Sequence, residues 1–330
     1  MADAKIPFLY IASSSYSGST LLAFLLNAHP EIFSVSEMHG WEYSERETFQ
    51  CSCGQVLSEC RFFRHVSAEF SRLRLPFDFR EFGTRYRLVR GDQLNRYLTA
   101  QLPRVSSTPL ERLRDVLVGS LPAFARRLAR EDAANLAFIR TGLAYSDARV
   151  FVDGCKNPFR LRHLRRIAAL DLRTIHLVRD IRGFVLSNKT KRGWPAAVSA
   201  RMWLQDQADI ARIAPEVGPV LTIHYEDLCD RTDETLARIH RFVGVEQHPF
   251  CGDFKAVEHH ILGNWMRHAE RGVVTKDTRW KQELPPEDIA MVTAVARRFM
   301  RRHEGHPLTP IIRRYLTDDP DASVPVATAR

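Results

Sequence analysis

An α/β fold built on a parallel sheet is the expectation, and three observations lead to it. Short apolar or β-branched runs are each followed by a helix-forming stretch, at residues 7–30, 149–170, 174–189 and 219–243. Polar and charged residues cluster just after those runs, where a parallel sheet presents its ligands. The chain has 330 residues and 45% hydrophobic content, enough for a sizeable core.

The first unit, PFLYIASSSYSGSTLLAFLLNAHP, reads as a buried strand, a tight Ser/Gly loop and a helix start. Loop N–H groups and a helix N-terminus direct positive charge at an anion, so this is a phosphate-binding arrangement. Against the pattern G-x-x-x-x-G-K-[ST], Gly18 and Thr20 fit, but Ser13 replaces the first glycine and Ser19 the lysine. Without that lysine the loop lacks the charge that nucleotide triphosphatases bring to the β and γ phosphates, which argues against a kinase or ATPase. A short apolar segment then leads to Glu37 and is expected to form the next strand.

Residues 63–74, 87–102 and 110–130 carry apolar residues at helical spacing. More than a hundred residues separate the first unit from RVFVD at 149–153, so a helical insertion of about residues 56–147 is expected, walling a pocket or simply packing. RVFVD leads through GCKNPF to a helix at 161–170, TIHLVR at 174–179 to a helix through Lys189, and PVLTIHY at 219–225 to a helix from about Thr232 to Val243. The residues just past these strands are 14–20, Lys156, Arg179 with Asp180, and 225–227. A helix at 287–303 comes after a Pro-Pro step, and the polar tail 317–330 is expected to be loose. One domain spanning 1–330 accounts for all of this.

The net charge of +9 and pI of about 9.5 suit nucleic acid, a membrane surface or a polyanionic small ligand, or simply a solvated basic surface. Arginines are spread evenly without interleaved aromatic residues, so a nucleic-acid partner is not expected. No membrane span or secretory signal is evident, which makes the cytoplasm the default compartment. Six cysteines in a chain of this size do not form a disulfide framework. In CSCGQVLSEC, Cys51, Cys53 and Cys60 match no common zinc spacing and no His-x-x-x-His partner lies close behind. A plain tight loop is therefore the expectation and no metal ligand is assigned, with a bridge or a metal as the alternatives.

The segments SSSYSGSTLLAFLLNAHP, SEMHG, VDGCKNPFRLR, LVRDIRGFVLSNKT and IHYEDL together resemble the sulfotransferases that use 3′-phosphoadenosine-5′-phosphosulfate (PAPS), above all the bacterial, carbohydrate and protein-tyrosine branches. The resemblance implies a three-layer sandwich with a central parallel sheet, the P-loop-like sulfotransferase fold. It also implies a sulfuryl transfer that leaves adenosine 3′,5′-bisphosphate (PAP). Position by position, Ser17, Gly18, Ser19 and Thr20 match the loop for the 5′-phosphosulfate, and Arg179 and Ser187 match the pair that binds the 3′-phosphate. A looser match over residues 260–285 adds Asn264, Arg267, Arg271 and Gly272, and Tyr225 stands at a strand end in the same set.

The resemblance breaks at Tyr16, where the family usually has Lys or Arg. The charge lost there must come from elsewhere, and Lys156, beside the transferred group in the tyrosine branch, is the natural replacement. Glu37 stands where that branch has its general base, and His39 is the competing base. A carboxylate near an apolar pocket can have its pKa raised toward the useful range. Each residue also has a plainer reading: Lys156 as a surface lysine, Arg179 as the partner of Asp180 or Asp153, Ser187 as an ordinary helix residue, Glu37 as half of a structural ion pair. The acceptor hydroxyl, on a sugar, lipid, natural product or peptidyl tyrosine, and the oligomeric state leave no mark in the sequence. A catalytically silent nucleotide-binding module and a small-molecule kinase with a degenerate loop are the competing classes.

Overall fold

The computed structural model describes residues 4–38, 49–102, 107–270 and 272–316. Five strands form one parallel sheet: β1 (Ile6–Ser13), β2 (Ile32–Ser36), β3 (Val150–Lys156), β4 (Leu170–Val178) and β5 (Val220–His224), in the order β2-β3-β1-β4-β5. Helix α1 (Ser19–Asn27) connects β1 to β2. Between β2 and β3 lie α2 (Arg61–Arg72), α3 (Asp92–Thr99), α4 (Thr108–Ser120) and α5 (Pro122–Ser146). Then come α6 (Pro158–Leu164), α7 (Ile181–Arg192), α8 (Ala196–Val217), α9 (Tyr225–Asp230), α10 (Thr232–Val243), a 3-10 turn at Trp265–His268, α11 (Trp280–Glu283), α12 (Pro286–Arg302) and α13 (Thr309–Leu316). Among the described residues no helix is long and apolar enough to cross a membrane.

Side-chain alternation along the central strand builds the layers. Phe8, Tyr10 and Ala12 of β1 face a core shared with Phe62, Phe63, Phe70 and Phe138 of the helices between β2 and β3. Leu9 and Ile11 face the opposite core, made with α1 and α10. Helices therefore cover both faces of the sheet, as a parallel sheet requires. A third cluster packs α7 and α8 against α12 and α13 around the fully buried Trp203.

Several boundaries differ from the sequence expectation. The helix expected at 161–170 spans Pro158–Leu164, because Asn157 caps it through Phe159 N–H and Leu170 already belongs to β4. The expected helix 110–130 is two helices, broken at Leu121, which is extended because Pro122 comes next. The stretch 87–102 is helical only over Asp92–Thr99, since Asn95 uses its side chain to hold the backbone of Tyr86 and Leu88 in a loop. The tail 317–330 lies outside the described residues.

Candidate active site

The phosphate-type loop is shaped by two left-handed residues. Tyr16 has φ 58° and Gly18 φ 88°. Gly18 caps α1, with its carbonyl accepting from Leu22 N–H. A Cβ on Gly18 would stand 2.5 Å from the Tyr225 ring, so close packing as well as φ demands glycine here. Ser17, Ser19 and Thr20 are buried at the start of the helix.

The neighbouring strands β2 and β3 each end in a left-handed residue, Ser36 at φ 62° and Lys156 at φ 70°, and the register between them shifts at Ser34/Ser36. Such kinks in non-glycine residues cost on the order of 1 kcal/mol or more and re-aim the chain beyond them. Here they bring the Lys156 ammonium onto the Glu37 carboxylate as an ion pair. Lys156, Glu37, Tyr16, Gly18, Ser19, Thr20 and Asn264 all border one cavity of about 790 Å³. The ion pair weighed for Glu37 is thus present, and it unites two of the three residues singled out for chemistry.

Arg179 is buried beneath this loop rather than in the cavity. Its guanidinium donates to Tyr16 O (2.7 Å), pairs with Asp277 Oδ2 (3.0 Å) and stacks on the Tyr225 ring at 4.8 Å. Neither expected partner holds it, for Asp180 pairs with Arg182 and Asp153 with Arg160. With two cations beside it, Asp277 is held well below the usual carboxylate range, by Arg279 first and Arg179 second, so the pair stays ionised. Ser187 Oγ donates to Gly183 O in its own helix (3.0 Å).

Tyr225 OH accepts from Asp277 N–H (2.9 Å), and burial pushes its phenol upward. Asn264 caps the 3-10 turn through Met266 N–H. Arg267 bonds to Gly263 O and Gln50 O and stacks on Phe49. Gly272 packs where a Cβ would meet Lys255 N at 2.5 Å. His39 and Arg271 lie outside the described residues.

Sequence reasoning missed two cavity residues. Arg192, at the end of α7, reaches Tyr16 OH (3.2 Å) and lies over the Tyr16 ring with Lys191, so cations surround the position where the family usually carries one. The run KTKR at 189–192, which it ends, was the available signal. Asp206 of α8 also borders the cavity, and burial raises its carboxyl to about 6 against a hydrogen bond from Ser14. It sits in mid-helix, where no strand end marks it.

A parallel sheet with helices on both faces, a phosphate-type first turn and a large cavity over the strand ends define an α/β protein of the P-loop-like class. The profile of the Sulfotransferase family matches residues 7–249, and the chain belongs to that family. Similar solved structures include the sulfotransferase domain from the curacin biosynthetic pathway, 16% identical over 90% of this chain and 97% of that one with a TM-score of 0.49. The sulfotransferase domain from the Synechococcus PCC 7002 olefin synthase is 18% identical over 89% and 96%, with a TM-score of 0.42. A sulfotransferase from Alicyclobacillus acidocaldarius is 12% identical over 89% and 96%, with a TM-score of 0.37. No curated protein matches the chain.

Proposed function

We propose that this sulfotransferase moves the sulfuryl group of PAPS to an acceptor hydroxyl by direct in-line transfer, with Glu37 as general base and Lys156 as the cation at the leaving phosphate. The observation that supports this most is the meeting of the Tyr16–Thr20 loop, Lys156 and Glu37 in one cavity. In this reading the loop N–H groups and the N-terminus of α1 hold the 5′-phosphate. The S–O bond to that phosphate breaks as a new one forms to the acceptor oxygen, and the acceptor proton passes to Glu37. Charge grows on the departing phosphate oxygen, where Lys156 and Arg192 bring positive charge.

The ion pair has a mechanistic meaning here. A carboxylate bonded to an ammonium is a weak base, so donor binding must draw Lys156 from Glu37 toward the phosphate before Glu37 accepts a proton. Arg179 has the same character: a 3′-phosphate bound there takes the place of Asp277. Ser187, Tyr225, Asn264, Arg267, Arg271 and Gly272 complete the donor site on the family pattern. The whole chain acts as one domain, and the helices between β2 and β3 wall the acceptor pocket.

Thermal stabilisation by PAP, compared with adenosine 5′-phosphate and with ATP plus magnesium, tests the donor. PAP is expected to stabilise the chain most, at concentrations where the other two do little. Equal stabilisation by adenosine 5′-phosphate would remove the 3′-phosphate from the argument and with it PAPS as donor. Screening hydroxyl compounds for sulfate transfer from PAPS then identifies the acceptor class.

A further inference from the structure

Where the helices between β2 and β3 begin, three thiols and an imidazole converge. One ligand atom from each of Cys51, Cys53, Cys60 and His260 lies within 4.8 Å of all the others. Cys60 Sγ is 3.3 Å from His260 Nδ1 and 3.6 Å from Cys53 Sγ, and Cys51 Sγ is 3.7 Å from the same nitrogen. A tetrahedral zinc ion, with bonds of about 2.3 Å to sulfur and about 2.0 Å to nitrogen, spaces its ligand atoms about 3.5–3.8 Å apart. We propose that Cys51, Cys53, Cys60 and His260 form a structural Cys3His zinc site.

The surroundings support a metal over a plain loop or a disulfide. A disulfide would join two sulfurs and leave the third thiol and the imidazole facing it. The donor set of thiolates and one imidazole suits zinc, and four protein ligands leave no open coordination position. Cys51, Cys60 and His260 are buried, while Cys53 reaches the surface. On its other side His260 Nε2 lies 3.3 Å from Glu258 Oε1 without hydrogen-bond geometry, close enough for that carboxylate to become the partner that zinc-bound histidines commonly have. Its ring stacks on Phe62 at 5.2 Å and meets the edge of Tyr145 at 5.6 Å.

The backbone presents the cysteines from a knuckle. Gly54 N–H donates to Cys51 O and Cys51 N–H to Gln55 O, with Gly54 at φ 86°. Ser52, between two ligands, bonds to His259 O and to the N–H and carbonyl of Ile261. Cys60 caps α2. One ion would therefore join the knuckle, the start of α2 and the 259–261 segment. That segment leads within three residues to Gly263, whose φ of 124° and missing Cβ let it pack on Thr20 Oγ1. The site would hold the base of the insertion to the rim of the cavity, without a part in the chemistry.

The test is metal content of the full chain, purified without metal-affinity steps and measured by plasma mass spectrometry. A single zinc ion per chain that survives gel filtration is expected, and cobalt in its place should give the absorption of a tetrahedral thiolate site. Cys53→Ser, at the exposed ligand, should lose zinc to a chromophoric chelator that the parent resists. Glu258→Gln, which leaves all four ligands in place, should weaken zinc by about 10–100-fold, and Cys251→Ser, outside the cluster, should leave it unchanged. A reduced chain that neither carries zinc nor takes it up from added zinc salt overturns the proposal. So does a disulfide within the cluster in the metal-free protein as isolated, or a Cys53→Ser variant that keeps the parental affinity.

Discussion

The two walls of the cavity are built by different physics. The wall at the strand ends is positioned by backbone geometry: left-handed turns at Tyr16, Gly18, Ser36 and Lys156 aim the loop and the Glu37–Lys156 pair. The opposite wall, formed by the helices, is positioned by buried charge. Arg160 gives Nε to Asp153 (2.8 Å), Nη1 to Thr84 O (2.8 Å) and Nη2 to Asn135 Oδ1 (2.5 Å), and so ties α6 to β3 and α5. Glu111 of α4 is fully buried and takes arginines from two further helices, Arg162 of α6 and Arg212 of α8. Backbone geometry is local in sequence, whereas the bonds of Arg160 to Asn135 and Thr84 and the pairs of Glu111 join residues 25 to 101 positions apart.

The strongest way to break this comparison is at Arg160, where the two walls meet. Arg160→Ala leaves Asp153 buried and unpaired, and a loss of roughly 3–5 kcal/mol is expected, the range for breaking a buried pair. Denaturant unfolding measures it. A loss below about 1 kcal/mol would show that apolar packing, not the ion pair, holds the helical wall.

Glu37→Gln acts on the other wall and on rate alone. Turnover should fall by about two to four powers of ten while PAP affinity stays within a few-fold, because the amide keeps the shape and cannot take the proton. Lys156→Ala should lose turnover and some donor affinity together. Single-turnover sulfate transfer decides it, and a Glu37→Gln rate near the parental one moves the base elsewhere, to His39, the competing base, or to another carboxyl bordering the cavity such as Asp206.

Less is expected at Arg179, which joins the loop to the C-terminal segment. Arg179→Ala should weaken PAP by on the order of 2 kcal/mol or more, with little change for adenosine 5′-phosphosulfate. Calorimetric titration of both ligands separates a 3′-phosphate contact from a general loosening of the loop, which would weaken both alike.

The smallest effect belongs to Glu131 of α5. Burial raises its carboxyl to about 7, against an N–H bond from Arg87 and the charge of Arg127. The folded state therefore holds the proton more tightly than the unfolded one. Its stabilising contribution is complete below the ordinary pKa of 4.5 and is lost as pH rises through about 7. Glu131→Gln should remove that fall and gain roughly 1 kcal/mol at pH 8, read from melting curves across pH. Unchanged pH dependence would mean that Arg127 already neutralises the group.

The strand-end wall was legible in the sequence for the reason the comparison gives. Runs such as RVFVD and TIHLVR announce a strand, and a residue just past a parallel strand lies at the ligand edge, so Lys156 and the loop could be placed from position, while Glu37 was singled out by the family resemblance. Asp206 and Arg192 were not placed, because their neighbours in space, Ser14 and Tyr16, lie in the loop after β1, far away in sequence. His260 was missed for the same reason: it stands 200 residues beyond Cys60, and a search for a nearby histidine cannot find it. The break at Leu121 was legible, since Pro122 disfavours helix in the residue before it, but apolar spacing hid it.

The sheet order sets a schedule for the growing chain. Strand β1 is made first, yet both its neighbours arrive late: Phe8 pairs with Phe151 of β3, and Ile6 with Leu170 of β4. Closing so long a loop is only about 1.4 kcal/mol more costly than closing an ordinary crossover of ~30 residues, since closure entropy grows with the logarithm of length. Time is the larger consequence. At ~5–20 residues per second of synthesis, an apolar strand with two open edges waits roughly ten to thirty seconds for its partners. The length of the segment between β2 and β3 thus adds little to the closure cost of the fold, and lengthens chiefly the interval in which its central strand is open to wrong pairing.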